Sequence, residues 1–272
     1  MTSELKKWLN TGAVAVVALL FTFPFIWMFL TALKPQNEVF GGAPFGSEIR
    51  WANFVDAWTL VPFGRFILNG FATSIAGALL SMFVAVLSAY AFSRLRFRFR
   101  DRLFLLFVAT LVLPQEVLVV PLYIMMNKAG LVDTYVALVL PFAFTAFGTF
   151  LMRQFFLTIP VEYEEAARID GASRLRTLWS ILLPQLRAPL SVLGVFSFIG
   201  YWNSYLWPLI IINTQEKATV PLGLTMFTGE RGTQWNLVMA ASTLAVIPSL
   251  LIVVLLQRQL MKGVSMGGFG GR

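Results

Sequence analysis

Six long apolar runs alternate with polar stretches along the chain, at residues 11–33, 69–92, 103–126, 135–156, 186–212 and 236–257. A helix rises about 1.5 Å per residue, so each run can cross the roughly 30 Å hydrocarbon layer of a bilayer. The pattern predicts an all-α integral membrane protein, a six-transmembrane-helix bundle formed by one domain over residues 1–272. The first run follows Lys6 and Lys7, the position of a secretory signal. It is longer than a signal's apolar core and lacks a small-residue cleavage pattern, so it reads as a retained anchor. Pro114, Gln115 and Glu116 interrupt the third run, and Pro121 is expected to break it again. Residues 34–65 and 213–235 are rich in turn residues, and Trp51 and Trp58 suit a membrane interface. The glycine-rich tail from Gly263 to Arg272 is expected to be flexible alone and ordered only against a partner.

Charge gives these runs a direction. Lys6, Lys7, the alternate Arg94, Arg96, Arg98, Arg100 and Arg102, then Arg153, Arg168, Arg174, Arg176, Arg187, Arg258, Lys262 and Arg272 make fifteen of the 21 basic residues. The intervening loops share six. Cytoplasmic loops carry the excess of Lys and Arg, which predicts six spans with both termini cytoplasmic. The arginine run at 94–102 is read first as this topology signal, with binding of anionic lipid or a partner as its other use.

Composition then removes whole classes of function. At 58% hydrophobic, 12% charged and a mean hydropathy of +0.76, the chain exceeds what one soluble core can bury. Its net charge of +8 does not form the aromatic-interleaved basic stripe of a nucleic-acid binder. With no cysteine and no histidine it lacks a disulfide framework, thiolate and imidazole metal ligands, and the commonest general base. No Gly-rich phosphate loop ending in Lys and Ser or Thr occurs, so energy from ATP must come from another subunit.

One polar stretch, residues 158–184, carries more than a turn. Thr158 and Pro160 open a helix whose first turns hold Glu162, Glu164 and Glu165, acids at the positive end of the helix dipole. Asp170 and Gly171 stop it, and Ser173 caps a second helix that runs to Pro184. Ala166 and Ala167 are expected to leave one flank bare for close approach by a partner, with Arg168, Arg174 and Arg176 adding charged contacts. An ordinary amphipathic surface loop is the other reading of these residues.

The spacing of Glu165-Ala166-Ala167, three residues, Gly171, nine residues, then Ile181-Leu182-Leu183-Pro184 resembles, without a departure, the loop of the membrane subunits of binding-protein-dependent ABC importers. The stretches LPQEV, GTFLMRQFF, YWNSYLWPLII and QWNLVMAAS look like the carbohydrate and glycerol-3-phosphate, maltose-type branch of that family. The resemblance implies a coupling helix between spans four and five, with Glu165, Ala166, Ala167, Asp170 and Gly171 seated in a cleft of a cytoplasmic ATPase. It also implies a second homologous permease, an ATPase dimer that binds ATP and Mg, and an extracytoplasmic solute-binding protein that residues 213–235 reach. The tail would contact the ATPase dimer. This chain would then be a multi-pass protein of a bacterial or archaeal inner membrane. It would be a transport subunit, not an enzyme, and would hold no metal or cofactor itself.

Four residues are candidates for the translocation path: Glu116, Trp202, Asn203 and Tyr205. Aromatic faces cover the apolar side of a sugar ring while amides and carboxylates bond its hydroxyls. Helix packing is the alternative for Trp202, Asn203 and Tyr205, and a buried bond to backbone near Pro114 is that for Glu116. The function expected is ATP-driven import of a sugar or oligosaccharide, with glycerol-3-phosphate or a glycerophosphodiester as the alternative cargo. An ion-coupled secondary transporter with Glu116 as proton carrier and a scaffold protein are the readings from other classes.

Overall fold

The computed structural model describes residues 3–268 apart from Gly42, Glu230 and Arg231, with the side chains of residues 3–6, 256 and 258–268 undescribed. Among these, helices dominate, and they gather into two compact units: Met1–Arg65 with Leu222–Ile247, and Phe66–Pro221 with Pro248–Arg272.

The first unit contains α1 (Ser3–Ala32), a short α2 (Ala52–Thr59), the start of α3 (Phe63–Arg94) and the first turns of α14 (Trp235–Gly268). An 18-residue apolar window within Lys7–Ala32 of α1 has none of its residues buried within the chain, as suits a helix facing lipid or another subunit, while Thr31 and Ala32 at its end are buried. A polar knot closes its end. Asn53 donates to the carbonyls of Ala32 at 2.8 Å and Lys34 at 2.9 Å, satisfying groups that the helix terminus leaves without partners, and Asn236 donates to Asn53 at 3.1 Å. Lys34 is buried beside the Ala43 carbonyl, with its ammonium 5.1 Å above the Trp27 ring. A two-residue pair of strands, β1 (Thr228–Gly229) and β2 (Gly232–Thr233), runs antiparallel just before α14.

The second unit is organised on α3. Ser74, Ala78, Ser81, Ala85 and Ala89 repeat at helical spacing and are all buried, so one face of α3 has almost no side-chain bulk. Against it pack α7 (Ala146–Thr158) and α11 (Arg187–Trp202). The approach is closest at Gly77, where a Cβ would stand 2.3 Å from the Tyr201 ring. Lower down, Ala85, Val86, Ala89 and Tyr90 form a core with Met152 and Phe156 of α7 and with Leu178, Leu182 and Leu193.

The remaining helices are α4 (Arg100–Ala109), α5 (Gln115–Lys128), α6 (Tyr135–Val139), α8 (Glu162–Ile169), α9 (Arg174–Thr177), α10 (Leu183–Gln185), α12 (Leu206–Ile211) and α13 (Val220–Leu224). Among the described residues, three continuous helices are long and apolar enough to cross a membrane, within α1, α3 and α14. Three bent pairs raise the number to as many as six: Arg100–Val112 with Gln115–Lys128 at 105°, Tyr135–Phe142 with Ala146–Thr158 at 49°, and Arg174–Gln185 with Arg187–Trp202 at 84°.

The break expected at Pro114 is present, but Pro121 sits inside α5 without ending it. A break at 143–145 was not foreseen, because Pro141 was read as part of a continuous run. The fifth run was expected to be helical over 186–212, yet α11 ends at Trp202 and the chain turns through 203–205 before α12. The backbone of α14 remains helical to Gly268, where a flexible tail from Gly263 was expected, and Phe269–Arg272 lie outside the described residues.

A Cβ at Gly77 must displace Tyr201, so Gly77→Ala is expected to cost about 1–3 kcal/mol, the usual range for overpacking. Thermal unfolding of the purified chain in detergent measures it. Gly200→Ala, whose Cβ would meet nothing within 4 Å, serves as the unchanged control.

Candidate functional site

The prolines that interrupt the helices also determine where a cavity forms. Pro141 has no N–H, so the carbonyl of Ala137 four residues back has no helical donor. Trp207 Nε1 donates to it at 2.8 Å. The Ala143 amide bonds Leu140, which frees the Val139 carbonyl, and the Tyr201 hydroxyl donates to that at 2.8 Å. Thr145 then caps α7 by accepting from the Gly148 amide at 2.8 Å. Broken backbone inside a membrane protein persists where side chains satisfy it or where it lines a polar cavity, and here both hold.

That cavity, of about 400 Å3, lies in the second unit where three interruptions converge. Gln115 and Glu116 open α5 after the first break, Phe142 and Thr145 flank the second, and Ser204 and Tyr205 form the third. Ser81 on α3 and Ser197 on α11 add hydroxyls, while Phe147, Phe196, Tyr201 and Trp207 supply aromatic walls. None of the lining residues is Lys or Arg, and Glu116 is the one carboxyl among them.

The four residues singled out from sequence divide evenly. Glu116 and Tyr205 line the cavity. Trp202 does not. It is buried against Phe198, with ring centroids 5.9 Å apart, and lies over Gly70. Asn203 caps α11 with its backbone N–H bonded to the Ile199 carbonyl; it is exposed and is not among the lining residues. The helix stops between Trp202 and Tyr205, so the two do not share one helical face. Ser81 and Thr145 belong to the cavity and were not anticipated. A hydroxyl in an apolar run gives no signal until the helix partners are known.

A second feature is the helix-turn-helix of α8 and α9. The Ala172 amide bonds the Ala167 carbonyl at 2.8 Å and the Gly171 amide bonds Arg168 at 3.0 Å, the paired closure of a helix C-terminus. It requires the left-handed backbone of Gly171, whose φ is 75°. Ser173 accepts from the Arg176 amide and starts α9. After α9 the chain widens into a π turn over Leu178–Leu182, which accommodates Pro184.

Glu165, Ala166, Asp170 and Gly171 are exposed, whereas Ala167 is buried, so the bare flank expected from both alanines is limited to Ala166. The outer surface is instead apolar as well as charged, with Tyr163 49%, Ile169 87% and Leu175 62% exposed.

Glu164 points the other way. It is buried and ion-paired at 2.7 Å with Nε of Arg94, the last residue of α3. Arg94 Nη2 also donates to Phe156 at 2.8 Å and Ile159 at 2.6 Å, carbonyls at the C-terminal end of α7. On the same side Arg153 donates to the Phe92 carbonyl, reaches Asp101 at 3.4 Å and stacks 4.0 Å from the Phe104 ring. Elsewhere in the unit, Asp133 clasps the turn at 213–217, accepting from Lys217 Nζ at 2.8 Å, the Thr214 hydroxyl and the Asn213 and Thr214 amides. These bonds, Lys217 foremost and then Thr214, hold its carboxyl far below the ordinary carboxylate range.

Residues 77–266 match the family described as binding-protein-dependent transport system inner membrane component. The chain is 39% identical over 263 residues to the sn-glycerol-3-phosphate transport system permease protein UgpE of Pectobacterium atrosepticum, covering 92% of each. It is 43% identical over 202 residues to the UgpE of Agrobacterium fabrum, covering 74% of this chain and 72% of that one. Its fold matches a chain in the crystal structure of a bacterial ABC transporter involved in import of the acidic polysaccharide alginate, with a TM-score of 0.81 at 23% identity over 94% and 97% of the two chains.

The Asp133 clasp predicts a pH dependence. A carboxyl whose folded value is lowered contributes stability above its unfolded value of about 4, and loses it as pH falls toward the folded value. The melting midpoint of Asp133→Asn is expected to lie below wild type at neutral pH, with the difference shrinking below about pH 4. Thermal melts across pH measure both.

Proposed function

Because the chain belongs to the inner membrane components of binding-protein-dependent transport systems, we propose that it forms one of two permease halves of an ATP-driven importer for an uncharged, hydroxyl-rich solute, a sugar or an oligosaccharide. It is a transport component and a multi-pass bacterial membrane protein, and this membership displaces the ion-coupled and scaffold readings. The observation that carries the cargo is the cavity. It offers hydroxyls, aromatic faces and Glu116 with no cation among its lining residues. As a carboxylate Glu116 accepts bonds from hydroxyls, and as an acid it both donates and accepts. As a carboxylate it opposes a phosphate, since two like charges 5 Å apart repel by about 3 kcal/mol at an effective dielectric of about 20.

Glycerol-3-phosphate is the second reading, favoured by the names of the relatives. In both readings a solute-binding protein delivers the cargo, an ATPase dimer supplies the energy, and α8 with α9 is the coupling element that seats in the ATPase. Six spans follow if each bent pair counts as one, and the split of basic residues supports both termini being cytoplasmic.

Uptake by the reconstituted transporter, with labelled neutral oligosaccharides and glycerol-3-phosphate as cargoes, separates the two readings. Glu116→Gln is expected to lower uptake of the neutral solute by about tenfold, the worth of one buried hydrogen bond to a charged group. A gain in glycerol-3-phosphate uptake by that variant, beside a wild-type chain already specific for it, would select the second reading. Gly171→Pro forbids the positive φ at the α8–α9 turn and is expected to abolish uptake at normal membrane levels. Normal uptake by this variant would remove the coupling role from the helix-turn-helix.

Orientation is tested separately. Single cysteines at Ser3 and Ser265 of this cysteine-free chain are expected to resist an impermeant reagent added to intact cells. Labelling at either position would refute the cytoplasmic termini.

A further inference from the structure

Resting on the coupling role proposed for α8, we infer that Arg94 is the positioning residue that joins α8 to α3, so that α3 carries movement of the coupling helix to the cavity wall. The guanidinium binds three things at once: Glu164 in the first turn of α8, and the carbonyls of Phe156 and Ile159 at the end of α7. The side chains of Arg94 and Glu164 are 8% and 11% exposed, so water does not compete for the pair. Glu164 places its negative charge at the positive end of α8, and Arg94 places its positive charge on the carbonyls at the negative end of α7, so each member of the pair sits at the helix terminus that favours it.

What leaves this joint differs in stiffness. The chain through α7 is bent by 49° at the break before it, and the one through α10 turns 84° before α11. α3 is unbroken and has no internal proline. Ser81, on the cavity, lies thirteen residues before Arg94, a helical distance of about 20 Å. Tyr201, also on the cavity, rests on Gly77 of the same helix. A displacement applied to Glu164 therefore has a rigid route to two cavity residues through one side chain, and an arginine suits it because its Nε meets the carboxylate while its Nη2 bonds the two carbonyls, a division of contacts that a single lysine ammonium does not offer.

The test uses the assembled transporter and the variants Arg94→Lys, Arg94→Met and Arg94→Met with Glu164→Met. Removing one partner strands a buried charge, whereas replacing both with apolar side chains leaves none, so the double variant is expected to assemble at wild-type levels. Its uptake per assembled complex should fall at least about tenfold while ATP hydrolysis continues, the range of a lost coupling. Spin labels on cysteines at Glu162 and Leu79 add a readout that packing alone would not move. In the wild-type pair their separation should stay the same with and without nucleotide, and in the double variant it should change.

A double variant that assembles and transports normally would overturn the proposal, as would failure of all three variants to assemble, which would make the pair a folding element. Gly171→Pro as a parallel control distinguishes the causes. If it uncouples and the Arg94 variants do not, the joint is wrong and the coupling role stands. If neither uncouples, the coupling role itself falls.

Discussion

The close face of α3 is the constraint on which the second unit depends. Serine and alanine at every third or fourth position let two helices lie against it, and in an apolar solvent that contact must come from van der Waals fit, since lipid tails are as apolar as leucine. Tyr201 can rest on Gly77 only because there is no Cβ, and from that seat its hydroxyl reaches the Val139 carbonyl. The cavity wall, the repaired break and the small-residue face are therefore one arrangement. Bulk added on α3 would be felt at the site before it was felt in the membrane.

Much of this was legible in the sequence, and the reasons for the rest are physical. Apolar length located six runs, and Gly171 with Ser173 defined the α8–α9 turn, because local backbone chemistry decides both. Ala167 was misplaced for want of a partner. Exposure on an eight-residue helix depends on what lies beneath it, and Glu164 and Ala167 together form its inward side. The stop at Trp202 was missed because the residues after it are apolar and aromatic, so composition continued where hydrogen bonding did not. Glu116 stood out as a lone carboxyl in an apolar run, and it lies on the cavity with Tyr205. Ser81 and Thr145 gave no warning, since serine and threonine are common in such helices.

The ends of the second unit use charge differently. At the Arg94 end the charges are buried, with Arg94 Nη2 bonded to two carbonyls and Arg94 Nε held against Glu164 by charge. At Asp133 they are partly exposed, with Lys217 and Thr214 closing a turn. Buried pairs cost much to assemble and more to break, whereas exposed ones adjust. The unit thus has one end held by a buried charge and one held by a partly exposed pair.

The commitment of Tyr201 and Trp207 to backbone has a consequence for how such a protein changes over time. Each spends its polar atom on a carbonyl that Pro141 or the break leaves open, so neither can be exchanged without exposing a buried acceptor. Glu116 and Tyr205 carry no such debt and can vary while the scaffold holds. The wall therefore separates residues that inheritance must keep from residues that it is free to alter, and a lineage can acquire a new cargo without first surviving a loss of fold.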